Sequence, residues 1–290
     1  MKSNVVTQED ARYPSLLGGI SDVPKRLYYR GEWAPELFEK CLAVVGTRRM
    51  TQYGKRVTEQ IVNEVAAAGV TIVSGFMYGV DATCHKAALG AGGKTIAVMP
   101  CGIDVIHPEY QADLYQEILD KGGLVVSEYE GTHPATNWTF PRRNRIVAGL
   151  SKATLVVEAG EDSGALITAN LAKKYGRKVF AVPNPITSAV SQGVNQLLKE
   201  GAELVASAKD ILQYYGLRGH AKIRRTAARN YAEIEGELEQ KIVQQLEKEA
   251  VEIDVLARKL KTTASQLGAA ISLLELEGYI IDEQGKLCLR

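Results

Sequence analysis

The stretch LAVVGTRRMTQYG, residues 42–54, determines the fold class of this chain. Its first four residues, Leu42–Val45, are apolar without alternation, which is typical of a strand that is covered on both faces. A glycine turn follows, and a helical pattern begins at Gly54. A buried strand that leads through a glycine turn into a helix is the repeating unit of a parallel α/β sheet.

The same unit recurs downstream. Further apolar runs predict strands at Val70–Ser74, Thr95–Met99, Leu124–Ser127, Thr154–Glu158 and Lys178–Val182. The helix-length segments between them include Gly54–Ala68, Asp81–Gly90, Ala112–Lys121, Ala165–Tyr175 and Gln192–Lys199. This alternation predicts an α/β domain over residues 41–216, built on a doubly wound, mostly parallel sheet.

The flanking segments have different patterns. Residues 1–40 contain Pro14, Pro24 and Pro35, and they predict an extended N-terminal arm or cap with little helix. Residues 217–232 carry several basic side chains and no acid, and they predict an exposed basic linker. Residues 233–290 show three amphipathic helical patterns and then a hairpin pattern around Gly285, which together predict a winged-helix domain.

Composition limits the class of protein. Of the 290 residues, 46% are hydrophobic and 24% are charged, as in ordinary globular domains. No apolar run reaches the length of a membrane span and no secretion signal is visible, so we expect a cytoplasmic protein without a membrane partner. The four cysteines are scattered, which predicts reduced thiols and neither a zinc site nor a disulfide framework.

The charge is distributed unevenly. Residues 233–290 hold 12 acidic and 7 basic side chains, whereas residues 1–232 hold 22 acidic and 28 basic ones. A weakly basic body with an acidic C-terminal domain predicts that a polyanion binds the body.

Two loops at predicted strand ends are candidates for an anion site. The first, residues 45–54, has a glycine turn and Arg48, which favour phosphate binding, although a surface turn with solvated arginines has the same pattern. It is not a GxGxxG loop, so a dinucleotide cofactor is disfavoured. The second, residues 74–81, leads into a helix with Asp81 and His85 four residues apart, and we interpret His85 as a packing residue because no third metal ligand is near.

Two later loops have the same position. Residues 138–145 combine Trp138 and Phe140 with three arginines, which favours base stacking and phosphate contact, while the alternative is a pair of core aromatics with ion-paired arginines. Residues 157–168 place Ser163 and Gly164 at a helix start, and Glu158 has either a structural or a catalytic role, of which we favour the structural one. No nucleophile motif is present, so we expect a binding protein without a cofactor and not an enzyme.

Together the loops resemble the DNA-processing protein A (DprA, or Smf) family. The similar segments are GTRRMTQYG (46–54), SGFMYGVDATCHKAAL (74–89), TIAVMPCGID (95–104), FPRRNRIVAGLS (140–151), EAGEDSGALITA (158–169), GRKVFAVP (176–183) and SQGVNQLLKEGAELV (191–205). The resemblance implies an extended Rossmann-like fold that binds single-stranded DNA between these loops. It also implies a homodimer that loads the RecA recombinase onto incoming strands during natural transformation in competent cells.

Residue by residue, the resemblance assigns DNA contact to positions in all four loops. They are Arg48, Gly75, Phe140, Arg142, Arg143, Asn144, Arg145, Ser163, Gly164 and Thr168. The chain departs from the family pattern at Tyr78, where an arginine is usual, and at His107-Pro108-Glu109-Tyr110-Gln111, to which no role is transferred.

Two other functions are alternatives. Related Rossmann-like proteins are nucleoside monophosphate phosphoribohydrolases, but their PGGxGT loop is replaced here by Ala159-Gly160-Glu161-Asp162-Ser163-Gly164. A transcription regulator that acts through the winged helix conflicts with the acidic charge of residues 233–290.

Overall fold

A computed structural model describes residues 4–217, 234, 236–246, 251–283 and 285–289. The chain divides into two compact units, Met1–Ile223 and Arg224–Arg290. Of the predicted basic linker, residues 217–232, the structure describes Leu217 alone. Glu233 and Glu235, at the start of the acidic domain, also lie outside the described residues.

A nine-stranded sheet forms the centre of the first unit. Its strands are β1 (Asn4–Thr7), β2 (Arg26–Gly31), β3 (Cys41–Val45), β4 (Thr71–Ser74), β5 (Thr95–Gly102), β6 (Leu124–Tyr129), β7 (Ala153–Val156), β8 (Lys178–Ala181) and β9 (Glu203–Leu204). They lie side by side in the order β1-β2-β6-β5-β4-β3-β7-β8-β9, and all pairs from β6 to β9 are parallel. The predicted mostly parallel sheet is confirmed.

Helices cover both faces of this sheet. They are α1 (Ser15–Gly18), α2 (Gln52–Ala67), α3 (Val80–Gly90), α4 (Ala112–Asp120), α5 (Thr139–Leu150), α6 (Gly164–Lys174), α7 (Gln192–Lys199) and α8 (Ala208–Tyr214), with 3₁₀ turns at Pro35–Phe38 and Glu109–Gln111. Along β3, Ala43 packs in a core with residues of α1, α5, α6 and α7, whereas Leu42 and Val44 pack in a second core with residues of α2, α3 and α8. Burial on both faces explains why the strand is apolar at every position.

The first 40 residues, which the proline pattern set apart as an arm or cap, instead add two strands to the sheet. β1 pairs with β2, and β2 pairs with β6, both antiparallel, for example at Tyr28 opposite Ser127. The partner strand β6 is almost 100 residues away in sequence, so no local pattern in the arm indicates the pairing. The segment extends the sheet and buries Leu27.

The direction of winding changes at β3, which lies between β4 and β7. In open parallel sheets the loops at the carboxyl ends of strands separate at such a reversal and leave a crevice. The loops after β3, β4 and β7 are the first, second and fourth loops of the sequence analysis. The topology therefore brings three of the four candidate loops to one edge.

The second unit contains α9 (Glu237–Leu246), β10 (Val251–Glu252), α10 (Ile253–Leu260), α11 (Ala264–Leu276), β11 (Ile280–Glu283) and β12 (Lys286–Leu289). The three strands form one antiparallel sheet in the order β10-β12-β11. Residues such as Ile242, Leu256 and Leu274 form its separate core. Three helices followed by a hairpin confirm the winged-helix prediction.

Cys41, Cys84 and Cys101 are buried and Cys288 is partly buried, and none of the four forms a disulfide. Within the part of the chain that the structure describes, no helix combines the length and the apolar character that crossing a membrane requires.

Candidate nucleic-acid interface

A cleft of about 650 Å³ lies where the loops after β3, β4 and β7 meet the start of α5. Seven of the ten candidate residues line it, namely Arg48, Phe140, Arg143, Asn144, Ser163, Gly164 and Thr168. Gly75, Arg142 and Arg145 do not line it. The fold thus brings together side chains that are up to 120 positions apart.

Together with Arg49, Arg48 is an exposed cation of the cleft lining. Its guanidinium carbon lies 5.1 Å from the ring centroid of Phe140 and 5.7 Å from that of Tyr78. Among the described residues it forms no ion pair, whereas Arg142 and Arg145 each pair with Glu128. An arginine held against two aromatic faces, with its hydrogen-bond donors unused by any carboxylate, is suited to a phosphate group.

The loop that carries Arg48 is fixed at both ends. The Thr47 amide donates to the carbonyl oxygen of Glu158 at 2.7 Å, which joins the loop to the end of β7. Gly79 has a φ of 79° and starts α3, and a Cβ there would lie 2.9 Å from the Arg48 Cα. Both a left-handed backbone and this close approach favour glycine. The loop after β4 thus packs directly against the backbone of the loop that carries Arg48.

Phe140 and His107 form one aromatic wall. Their ring centroids are 5.7 Å apart with an interplanar angle of 60°, an edge-to-face contact. Burial, and then the positive charges of Arg48 and Arg143, lower the pKa of His107 below its ordinary value, so the imidazole is neutral at neutral pH. Sequence reasoning did not include His107 or Tyr78 in the site, because their proximity to Phe140 depends on loops that meet only in the folded chain.

Arg143 lines the floor of the cleft and is only 4% exposed. Its guanidinium donates to the carbonyl oxygens of Gly75 and Val98, at the ends of β4 and within β5. Burial lowers its pKa to about 10, and the Asp81 carboxylate opposes this shift. The side chain therefore stays charged at neutral pH and ties α5 to two strands.

Gly75 and Asn144 complete this arrangement. A Cβ at Gly75 would lie 2.5 Å from the Arg143 guanidinium and 2.7 Å from the Asp81 carboxylate, so the glycine gives room to that pair. The Asn144 side-chain amide accepts from Arg143 Nε at 3.2 Å and donates to the carbonyl oxygen of Gly164 at 3.3 Å. These contacts hold the starts of α5 and α6 together.

Arg142 and Arg145 face another side of α5, toward Glu128. Arg145 Nη2 lies 2.5 Å from Glu128 Oε1, and its Nε lies 3.1 Å from the Asp22 carboxylate. The Arg145 side chain is 5% exposed, whereas that of Arg142 is 45% exposed. Arg145 is thus an internal ion-pair residue, because its helix position points into the layer that α5 buries.

The start of α6 forms the far wall of the cleft. Ser163 caps the helix, its hydroxyl accepting from the Ala165 amide at 3.3 Å. A first helical turn has N–H groups without helical partners and a partial positive charge, both of which favour anions. Glu161 and Asp162 are exposed on the same loop, so negative charge borders this wall.

Glu158 and His85, which the sequence offered as a possible catalytic carboxylate and a possible metal ligand, are engaged elsewhere. Glu158 is 1% exposed and accepts from the Thr51 amide at 2.9 Å and from the Thr51 hydroxyl, beside the start of α2. His85 is fully buried, and burial lowers its pKa to about 3. Its Nδ1 lies 2.6 Å from the Thr95 hydroxyl, which itself donates to Ile72. Glu158 thus holds the segment before α2, and His85 joins α3 to the first residue of β5, so both have the structural contacts that were favoured for them.

No group of three potential metal ligands occurs within the described residues. The groups that the cleft does combine are exposed arginines, aromatic faces and the amides of a helix start. Together they suit an anionic ligand with flat rings.

Comparison with known proteins agrees with this geometry. Residues 4–216 match the family described as DNA recombination-mediator protein A, and residues 226–286 match the DprA winged helix domain. The chain is 42% identical to protein Smf of Escherichia coli over 210 residues, which is 72% of this chain and 56% of that protein. It is 41% identical to the DNA processing protein DprA of Streptococcus pneumoniae over 203 residues, or 70% and 71% of the two chains.

Solved structures show the same fold. The X-ray structure of DprA from S. pneumoniae has a TM-score of 0.69 and 39% identity, covering 73% of this chain and 74% of that one. A structure of DprA from Helicobacter pylori, described for its single-stranded DNA binding mode, has a TM-score of 0.65 and 33% identity, covering 73% and 95%. The residues that align with E. coli Smf make up 56% of that protein, so this chain spans little more than half the length of that relative. The family is described as a recombination mediator. The family model matches residues 4–216, which is most of this chain, and a solved DprA structure has the same fold. The chain therefore belongs to the DNA recombination-mediator protein A family.

Proposed function

We propose that this protein is a recombination mediator that binds single-stranded DNA in the cleft between the loops after β3, β4 and β7 and the start of α5. The observation that carries the proposal is Arg48, an exposed cation that contacts the rings of Tyr78 and Phe140 and has no ion pair among the described residues. A single strand offers both partners that this arrangement requires, a phosphate and an unpaired base.

The aromatic faces favour a single strand over a duplex. Stacking on a side chain requires a base that is not paired or stacked within a helix, and it contributes about 1–3 kcal/mol per base. Phe140 is only partly buried and Tyr78 is 43% exposed, so both rings have area that is open to a ligand. The single-stranded DNA binding mode described for the H. pylori relative supports the same class of ligand.

The wider role rests on the family resemblance. We include in the proposal that the protein acts in the cytoplasm as a homodimer and loads RecA onto incoming single strands during natural transformation. The match over residues 4–216 supports this role.

The test is the binding of labelled oligo-dT and of a duplex of equal length at several salt concentrations. We expect tighter binding of oligo-dT, with an affinity that falls as salt rises. Substitution Arg48→Ala removes one phosphate contact and lowers the logarithmic salt slope by about 0.7. Lys152→Ala is the matched control, since Lys152 is an exposed cation directly before β7, at the opposite edge of the sheet.

Equal affinity for duplex and single strand would refute the stacking argument. An unchanged salt slope in Arg48→Ala would place the phosphates elsewhere on the protein.

A further inference from the structure

Trp138 is an exposed aromatic residue that lies outside the cleft lining. The chain has two tryptophans, and Trp138 is 54% exposed whereas Trp33 is 8% exposed. A large ring with half its surface in solvent, directly before α5, is not explained by packing. It stands two residues before Phe140, which does line the cleft.

A rigid aromatic cluster supports the Trp138 ring. Tyr129 and His133 are stacked with centroids 4.6 Å apart at an interplanar angle of 15°. Trp138 meets both in edge contacts, at 5.9 Å and 86° to Tyr129 and at 6.1 Å and 71° to His133. Edge-to-face packing of this kind fixes the plane of a ring while leaving area free.

Backbone hydrogen bonds hold this cluster against the end of β5. The Gly102 amide donates to the carbonyl oxygen of His133 at 2.7 Å, and the Ile103 amide donates to that of Tyr129 at 3.1 Å. The aromatic platform of Tyr129, His133 and Trp138 is therefore already ordered without a ligand. Binding then loses little free energy to the ordering of these side chains.

A cation stands beside the platform. The Arg142 amide donates to the carbonyl oxygen of Trp138 at 3.3 Å, so the two residues lie one helical turn apart on the same side of α5. The pair with Glu128 uses Nε and Nη2 of Arg142, and its side chain is 45% exposed. Because a guanidinium has five N–H donors, others remain for a phosphate.

The start of α5 thus has an aromatic ring and an arginine on each of two sides. Residues two positions apart point to nearly opposite sides of a helix with 3.6 residues per turn. Phe140 with Arg48 lines the cleft, whereas Trp138 and Arg142 contact Tyr129 and Glu128 at the end of β6. A strand that leaves the cleft over the first turn of α5 reaches the second pair next.

We propose that Trp138 is a second base-stacking site for the same single strand and that Arg142 binds the adjacent phosphate. This inference rests on the proposed function, and it gives the direction in which the strand leaves the cleft. The ligand at Trp138 is an unpaired nucleobase.

Tryptophan fluorescence tests the proposal on the full chain. A stacked base quenches the exposed Trp138, while the buried Trp33 serves as an internal reference. We expect oligo-dT to quench the emission and to protect it from iodide. We also expect Trp138→Phe to abolish the DNA-dependent change while nearly keeping the affinity, because phenylalanine still stacks.

Affinity gives an independent measurement. Trp138→Ala should weaken oligo-dT binding by about 5- to 150-fold, the equivalent of one stacked base. An oligomer of the same length with abasic sites keeps its phosphates, so we expect it to bind more weakly and to leave the fluorescence of the natural protein unchanged.

The outcomes separate this inference from the proposed function. If oligo-dT binds by anisotropy but leaves Trp138 emission unchanged, the second stacking site is refuted while the cleft stands. If Trp138→Phe binds normally and Trp138→Ala does so as well, the site is likewise refuted. If no oligo-dT binds, the proposed function itself fails.

Discussion

The ion pair between Arg145 and Glu128 leads to a prediction that separates structural from DNA-binding arginines. Arg142 and Arg145 both pair with Glu128, yet their side chains are 45% and 5% exposed. A surface pair contributes about 0–1 kcal/mol, because water screens it. Removing one partner of a buried pair costs about 3–5 kcal/mol, because the other charge remains without compensation.

We therefore expect unequal effects from the two alanine substitutions. When Arg145 is removed, Glu128 still has Arg142 as an ion-pair partner. We therefore expect Arg145→Ala to cost about 3 kcal/mol of stability, the lower end of the range for a buried pair. For a domain of this size such a loss lowers Tm by about 6–12 °C. Arg142→Ala should change the free energy of unfolding by less than about 1 kcal/mol.

Urea and thermal unfolding of both variants, followed by circular dichroism, provide the measurement. The double substitution Arg145→Ala with Glu128→Ala should be less destabilising than the sum of the single ones, since no buried charge is then left unpaired. Equal stability of the Arg142→Ala and Arg145→Ala variants would refute the assignment. A reduced DNA salt slope in a fully stable Arg145→Ala variant would show that Arg145 binds phosphate after all.

Three further predictions concern the cleft, the buried histidine and the second unit. Phe140→Ala should weaken oligo-dT binding by about 1–3 kcal/mol with native circular dichroism, and an unchanged affinity would remove Phe140 from the site. Because the pKa of His85 is about 3 in the folded protein and about 6.5 in the unfolded chain, the unfolded chain binds more protons between these values. Stability should therefore fall by about 1.4 kcal/mol per pH unit from this group as the pH is lowered through that window, and urea midpoints of His85→Gln should depend less on pH than those of the natural protein. A chain that ends at Gly216 should bind oligo-dT as tightly as the full chain or more tightly, because the residues removed hold 12 acidic and 12 basic side chains and their loss leaves the net charge unchanged; a loss of affinity would show that residues after Gly216 contribute to DNA binding.

The composition of α11 argues against duplex binding by the winged helix. In helix–turn–helix folds the second helix of the motif enters the major groove and places basic and polar side chains there. Here that helix is α11, which has Glu275 as its charged residue and exposes Leu273 and Leu276. We accordingly predict that residues 233–290 serve protein contact or self-regulation, and duplex binding by the isolated domain at moderate salt would contradict this.

Local sequence patterns determined the central sheet and most of its helices. The run from Leu42 to Val45 predicted a doubly covered strand, and the structure has β3 at Cys41–Val45 with a core on each face. The helix predicted at Gln192–Lys199 has the same bounds in the structure. These features are predictable because hydrophobic periodicity, glycine turns and helix caps act within a few residues of one another.

Tertiary structure alone decided what the four arginines do. Arg48 is exposed against aromatic rings, Arg143 is buried in the floor of the cleft, Arg145 is ion-paired inside, and Arg142 remains half exposed. Three of them lie within four positions of one helix, where the sequence shows the same side chain each time. Their surroundings differ because successive positions point to different sides of α5, and the side that becomes buried is set by how the helix packs on strands distant in sequence.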